Sequence, residues 1–397
     1  MKVLSLSTVF PRPDEPRLGL FVQRRLTKLA EWMEVVVVAP VAWLDTAGGS
    51  VRLRTGLGPG RRCEGPLEVL HPRWFYPPGL GAVHAHFLAA HLEKPLAELR
   101  KGFAFDVIDA HFGYPEGVAA QRLARRFGCP YVVTLRGNET LHGAKGRKRA
   151  LLASALRGAA AVIGVSGRLR DFAVELGVDR ARTFVIPNGV DCHVFQPRDR
   201  EAARARLGMA RDGKHIVSAG YLIERKGHHR IVRALPALQA AGVPAELWIV
   251  GDAGREGNYA PQIRRAMEEL CLQSRVHFVG GVAPEQLSEY FSACDVFCLA
   301  SSREGWPNVV NEALACGTPV VASDVGGVPE MLPGEDYGII VPPADDAGLA
   351  EGLAAALTRD WERTAIAKWG ARRSWEQVAL ETAEVLRGVV GDKAACR

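Results

Sequence analysis

The sequence predicts an α/β protein made of two doubly wound domains. Three observations carry this reading. The chain has 397 residues, enough to bury two separate cores. Short β-branched runs alternate with longer helical stretches, the pattern of a parallel sheet with helices on both faces. The alternation stops near 190–213 and then restarts, so the halves share one architecture.

The elements follow in order. "KVLSLS" (2–7) is the first strand and "FVQRRLTKLAEW" (21–32) the first helix. "EVVVVAP" (34–40) is a strand by its β-branched content. The stretch 41–100 carries Gly, Pro and aromatic clusters and reads as irregular loop and helix. "FDVIDAHF" (105–112) is a strand, and the helix "EGVAAQRLARRFG" (116–128) ends on glycine. "PYVVTLRG" (130–137), "AAVIGVS" (160–166) and "RTFVIPNG" (182–189) are further strands with helices between them. After the break come strands at 215–220, 245–254, 275–282, 295–301, 318–323 and 338–343. The chain closes with the amphipathic "SWEQVALETAEVLRGVV" (374–390). The expected division is a first domain 1–190, a linker 191–213, a second domain 214–373 and a helical segment 374–397, a candidate to cross back to the first domain. Two such domains face to face leave a cleft, and ligands bind there, outside the carboxyl ends of the strands.

Composition narrows the class. Half the residues are apolar and a quarter charged, which excludes a disordered or collagen-like chain. Residues 1–195 carry 27 Lys+Arg against 17 Asp+Glu, while the remainder carries 23 against 27. The first half therefore suits an anionic partner or simply bears Arg-rich surface helices. Arg122, Arg125 and Arg126 share a helix face at i, i+3, i+4 spacing, and Lys145, Arg147, Lys148 and Arg149 follow. No nucleic-acid-binding motif accompanies them, whereas an anionic bilayer surface fits. The eight cysteines form no C-x2-C pair and read as buried thiols in a reducing compartment. No apolar run is long enough to span a bilayer, and the N-terminus reads as a strand instead of a signal peptide. A cytoplasmic protein, peripheral at the inner face of the membrane, is expected.

The densest chemical signal is "SSREGWPNVVNEALACGTPVVASDVGGVPE" (301–330). A strand ends, an irregular turn follows, and a helix begins near Pro307 and ends at Gly317. Backbone N–H groups at the helix start suit a phosphate. Glu304 and Glu312 lie eight positions apart, so both carboxylates can face one bound molecule. Carboxylates repel phosphate, so they make sense as acceptors for hydroxyls of a sugar and of a ribose.

The segment E-G-W-P-N-V-V-N-E resembles the E-x7-E motif of the retaining family-4 glycosyltransferases, which have the GT-B fold. Its continuation and "VSAGYLIERKGH" (217–228), "WIVGDAG" (248–254), "RVHFVGGV" (275–282) and "VIPNGVD" (185–191) resemble the same family. The resemblance covers essentially the whole chain and is strongest over 183–345. It implies that Glu304 contacts the transferred sugar and Glu312 the ribose of the donor. The backbone at Gly305, Trp306, Pro307, Asn308 and Val309 would hold sugar and diphosphate. Lys226 would neutralise the diphosphate leaving group, where a preorganised cation stabilises developing charge. The family usually has Arg directly after the glycine of the preceding strand. Here Tyr221 follows Gly220, so Arg225 compensates or the diphosphate has one cation fewer.

In the first half, Gly19 falls where the family places a loop that approaches the diphosphate closely. "DAHFGYPEG" (109–117) and "TLRGNE" (134–139) follow strands. The resemblance gives His111 and the residue at Arg136 contact with the reacting sugar, although the family commonly has His at the latter position. Arg can bond sugar or phosphate oxygens but cannot shuttle protons near neutral pH. His84, His86 and His91 lack a nearby acidic ligand, and the chain has no D-x-D pair, so no metal and no cofactor are expected. Trp74, Phe75 and Tyr76 form an aromatic cluster open to an acceptor sugar, to lipid or to simple packing.

The expected activity is retaining, metal-independent transfer of a hexose from a nucleotide-sugar to a glycan or lipid-linked acceptor in bacterial polysaccharide or glycolipid assembly. The alternatives are a GT-B-like sugar-nucleotide epimerase or phosphorylase and a catalytically silent nucleotide-sugar-binding protein.

Overall fold

The computed structural model describes residues 1–45, 52–53, 60–75, 79, 81–143, 146–254 and 256–395. They fall into two compact units, Met1–Asn188 with Trp375–Arg397, and Gly189–Ser374.

The first unit is built on an eight-stranded sheet. Its strands are β1 (Lys2–Leu6), β2 (Glu34–Val38), β3 (Arg61–Glu64), β4 (Leu67–Leu70), β5 (Val107–His111), β6 (Tyr131–Leu135), β7 (Ala161–Gly164) and β8 (Thr183–Val185). Their order is β8-β7-β6-β5-β1-β2-β4-β3. All pairs are parallel except the hairpin β3–β4. Leu4 pairs with Val36 on one side and Ile108 on the other, so β1 sits where the winding changes direction. Helix α1 (Leu20–Leu29) buries Val22, Arg25, Leu26 and Leu29, the i, i+3, i+4, i+7 stripe of a core-facing helix. The C-terminal helix Trp375–Ala395 belongs to this unit, where Trp375, Val378, Ala379, Ala383 and Leu386 share one core with Val22, Leu26 and Leu29.

The hairpin lies in a stretch expected to be irregular. Arg61–Glu64 is a charged edge strand with no β-branched residue, so neither composition nor alternation signals it. The same stretch also holds the 19-residue helix α2 (His84–Gly102).

The second unit has a six-stranded parallel sheet of β9 (Lys214–Ala219), β10 (Ala245–Val250), β11 (Val276–Gly280), β12 (Val296–Leu299), β13 (Val320–Ser323) and β14 (Gly338–Val341), in the order β11-β10-β9-β12-β13-β14. The chain winds outward from β9 to β11, then crosses to β12 on the other side of β9. Parallel strands place all carboxyl ends at one edge, and the reversal at β9/β12 opens a crevice there. The expected linker 191–213 is part of this unit. Asp199 accepts from the Ala202 amide (2.7 Å) and caps the helix Arg200–Leu207. Buried Arg204 then ties that helix to Asp295 at 2.8 Å and to the Ala293 carbonyl at 2.9 Å.

Candidate active site

The reversal point of the second unit is where Lys226 and Glu304 meet. β9 runs into Gly220, a loop and a 3-10 turn, Glu224–Lys226. Gly227 follows with φ +73°, and a Cβ there would lie 2.0 Å from the Ala300 carbonyl oxygen. Only glycine fits, and the tight contact fixes the Lys226 turn against the end of β12. The Lys226 stem also lies close to Gly220, whose added Cβ would stand 3.3 Å from the lysine Cε. From the β12 side comes Glu304. Its Oε1 accepts from Lys226 Nζ (2.6 Å) and from Ser301 Oγ (2.8 Å), with Arg225 Nη1 3.7 Å away. Arg225 is turned to a further carboxylate, Glu256, which accepts from its Nε and Nη2 at 2.8–3.0 Å.

The turn carrying Glu304 is braced from behind. Gly326 has φ +54°, its added Cβ would stand 2.3 Å from the Glu304 carbonyl oxygen, and the Gly327 amide donates to Gly305 O (2.8 Å). Pro307 is the N-cap of the helix Asn308–Ala315. Pro307 has no N–H, so the backbone donors of this turn belong to Gly305, Trp306, Asn308 and Val309. Glu312 is buried one turn into the helix. At the far end Gly317 (φ +77°) donates to Leu314 O and Thr318 to Ala313 O, a Schellman stop.

The first unit has its own polar cluster at the β1/β5 reversal. Asp109 and His111 alternate along β5 and therefore share a face, both fully buried. His111 Nε2 faces Asp109 Oδ2 (3.2 Å) and Ser5 Oγ (3.1 Å). Its Nδ1 accepts from Arg136 Nη2 at 2.8 Å. That bond needs a lone pair, so the ring is neutral with its proton on Nε2. Burial, together with Arg136 and Arg25, pulls His111 down to about 4 against the pull of Asp109. Burial alone would raise Asp109, but His111, Arg25 and Arg136 outweigh it and hold the carboxyl well below its ordinary range. Arg136 Nη1 donates to Asn188 Oδ1 (3.2 Å), and the guanidinium lies 4.9 Å over the Phe21 ring. His111, with both ring nitrogens engaged by neighbouring side chains, is thus placed to hold Arg136. Gly19 begins α1 at φ +70°, and an added Cβ would stand 2.4 Å from Val9 O, so it permits a backbone contact inside its own loop.

The sequence reads Glu116 and Glu139 as residues that cap or face a helix, and does not show the partners they take. Glu139 accepts from the amides of Gly113, Arg136 and Gly137 at 2.7–3.1 Å and so shapes the loop after β6. Glu116 accepts from the Thr8 amide (2.9 Å) and hydroxyl, and its Oε2 is buried without a partner. Burial pushes this carboxyl up to about 7. Asp109 was legible as the i−2 neighbour of His111, whereas Ser301 and Glu256 carry no such signal.

Among the described residues no group of three or more His, Cys, Asp or Glu is placed to hold a metal ion. His91 Nδ1 bonds the Phe87 carbonyl within α2. Trp74 is buried, Phe75 packs edge-on against Phe87, and Tyr76 lies outside the described residues, as do Lys145 and Cys396. Cys63 and Cys271 are exposed, contrary to the expectation of buried thiols, while Cys294, Cys298 and Cys316 are buried and their thiols pushed up by burial.

Residues 199–373 match the model of glycosyl transferases group 1, and residues 33–194 that of glycosyltransferase family 4. A D-inositol 3-phosphate glycosyltransferase of Stackebrandtia nassauensis is 32% identical over 311 residues, 72% of this chain and 68% of that one. The chain belongs to glycosyltransferase family 4. A putative teichuronic acid biosynthesis glycosyltransferase, TuaC of Bacillus subtilis (strain 168), is 29% identical over 371 residues, covering 90% of this chain and 89% of that one. In fold the glycosyltransferase is similar to Anabaena Alr3699/HepE, solved with UDP-glucose, at a TM-score of 0.72 and 22% identity over 98% of this chain and 100% of that chain. The glycosyltransferase has the two Rossmann-like domains of the GT-B fold. Tyr221, the departure after Gly220, is 45% exposed, and Arg225 stands 3.7 Å from Glu304 but shares its charge with Glu256.

Proposed function

We propose that this glycosyltransferase moves a hexosyl group, with retention and without a divalent metal, from a nucleotide-sugar to a glycan or lipid-linked acceptor of a bacterial cell-surface polysaccharide or glycolipid. The observation that carries the reading is Lys226 against Glu304 at the reversal point, beside the start of a helix. Lys226 takes the diphosphate, Glu304 accepts from sugar hydroxyls, Glu312 accepts from the ribose, and the helix dipole favours the phosphates. Names of the relatives and of the structural neighbour, which mention teichuronic acid, inositol 3-phosphate and UDP-glucose, support a nucleotide-sugar donor and a polyhydroxylated acceptor.

A covalent glycosyl-enzyme would need a carboxylate free to attack. In the first unit Glu139 accepts from three amides, and Glu116 accepts from Thr8 through Oε1 while its Oε2 is buried. This favours same-face substitution. The bond from the anomeric carbon to the diphosphate oxygen breaks, that oxygen takes the proton of the acceptor hydroxyl, and the acceptor oxygen bonds the anomeric carbon. The protein supplies charge stabilisation and positioning. Arg136, held by His111 and Asn188, provides a fixed cation for sugar or phosphate oxygens.

The test is the anomeric configuration of the product by NMR, with and without EDTA. An α-linked product from an α-linked donor, unaffected by chelation, is expected. An inverted product, or activity lost on chelation and restored by metal, overturns the reading. Exposed Arg122, Arg125, Arg126 and Arg147 give the first unit a cationic surface suited to anionic lipid. No helix among the described residues is long and apolar enough to cross a membrane.

A further inference from the structure

We propose that Glu304 and Lys226 form an electrostatic lock that admits an intact nucleotide-sugar and disfavours the free nucleoside diphosphate. The inference rests on the donor-site reading above. Lys226 and Arg225 are both already matched: Lys226 by Glu304 at 2.6 Å, and Arg225 by Glu256 at 2.8 Å and, more distantly, by Glu304 at 3.7 Å. The pair is sheltered, with the Lys226 side chain 12% and the Glu304 side chain 9% exposed. Neither partner is loosely tethered. Gly220 and Gly227 hold the lysine, and Ser301 donates to the oxygen of Glu304 that Lys226 uses.

A diphosphate arriving alone must draw Lys226 away from Glu304. That leaves a sheltered carboxylate without its cation, beside two phosphate groups of the same sign, and breaking one side of a buried pair is costly. An intact donor brings the compensation with it. Its sugar hydroxyls donate to Glu304 as its diphosphate takes Lys226, and hydrogen bonds to a charged acceptor are the stronger kind. After transfer the hexose departs on the acceptor, Glu304 retakes Lys226, and the spent nucleotide is released. The site therefore reads hexose and diphosphate jointly.

Isothermal titration of the full chain tests this. UDP, GDP, ADP and dTDP, each with its glucose ester, are screened first, and the best-binding pair is carried through wild type, E304Q, E304A and E312Q. E304Q should bind the nucleoside diphosphate about tenfold more tightly while binding the glucose ester no better, a change of about 1.4 kcal/mol. E304A, which leaves no amide to substitute for the carboxylate, should shift the diphosphate in the same direction. E312Q should move both ligands by one factor, because the ribose is common to them. Thermal midpoints confirm that each variant is folded. Diphosphate affinity unchanged or weakened in both Glu304 variants overturns the lock alone. Failure of every ligand to bind wild type overturns the donor-site reading, and the lock with it.

Discussion

Glu116 and His111 are buried at the same end of one sheet and titrate in opposite senses. Glu116 is raised from 4.5 to about 7, so between those values the folded chain holds a proton that the unfolded chain has lost. Its contribution to stability is full below pH 4.5 and is lost as pH rises through 7. His111 and His228 are lowered to about 4 by burial, so stability from them grows as pH rises from 4 to 6.5. E116Q removes only the first effect. Relative to wild type its thermal midpoint should therefore climb as pH goes from 5 to 8, following a slope of about 1.4 kcal/mol per pH unit up to pH 7. A parallel pair of midpoint curves would refute that assignment. Kinetics separate the two glutamates of the motif. If Glu304 contacts the reacting sugar as proposed, Glu304→Ala should mainly lower kcat; Glu312→Ala should mainly raise KM, because the ribose contact proposed for it would be nearly uniform between ground and transition states. Full activity in Glu304→Ala would show that the sugar sits elsewhere. At this scale the sequence announces Glu304 and Glu312 through spacing, and Lys226 through the family resemblance of its segment. It does not announce that Glu139 is spent on amides or that Arg225 is held by Glu256, because those partners are set by loop paths.

Strands are the elements most readable beforehand. β2 as "EVVVV" is a β-branched run buried on both faces, and β9 as "KHIVSA" is buried likewise around Ile216 and Val217. β3 escapes because an edge strand with a solvent face needs no apolar alternation, and β4, "LEVL", because its alternation spans only four residues. Element ends are set by glycines whose necessity shows only in three dimensions. Gly227 is one such case, since its left-handed φ and the 2.0 Å approach to Ala300 O exclude any side chain. Gly227→Ala should cost about 1–3 kcal/mol from backbone strain, and more from the displaced strand end. It should also weaken diphosphate binding by moving Lys226. A Gly227→Ala protein with a wild-type urea midpoint would contradict this.

For the whole molecule, the double α/β architecture follows from alternation, but the strand orders do not. Which strand pairs with which depends on crossovers, and only the order reveals that Lys226 and Glu304 flank one reversal point. The assignment of 191–213 to the second unit was hidden in the same way, because Arg204 reaches Asp295 across 91 positions. The C-terminal helix is integral to the first unit, with Trp375, Val378 and Leu386 in its core and Glu376 paired to Lys28 at 2.8 Å. Each such buried side chain contributes about 1.5–3 kcal/mol. Deleting 375–397 should therefore expose apolar surface and lower the first unit's melting transition, read by dye binding on heating. An unchanged transition would exclude that role.

In the proposed donor complex Lys226 and Glu304 divide the donor between them. A crystal structure with the best-binding nucleotide-sugar shows whether they do. A diphosphate oxygen within about 3 Å of Lys226 Nζ, sugar hydroxyls on the Glu304 carboxylate and an opened lysine–glutamate contact are expected. A donor bound elsewhere, with Lys226 still paired to Glu304, would contradict it.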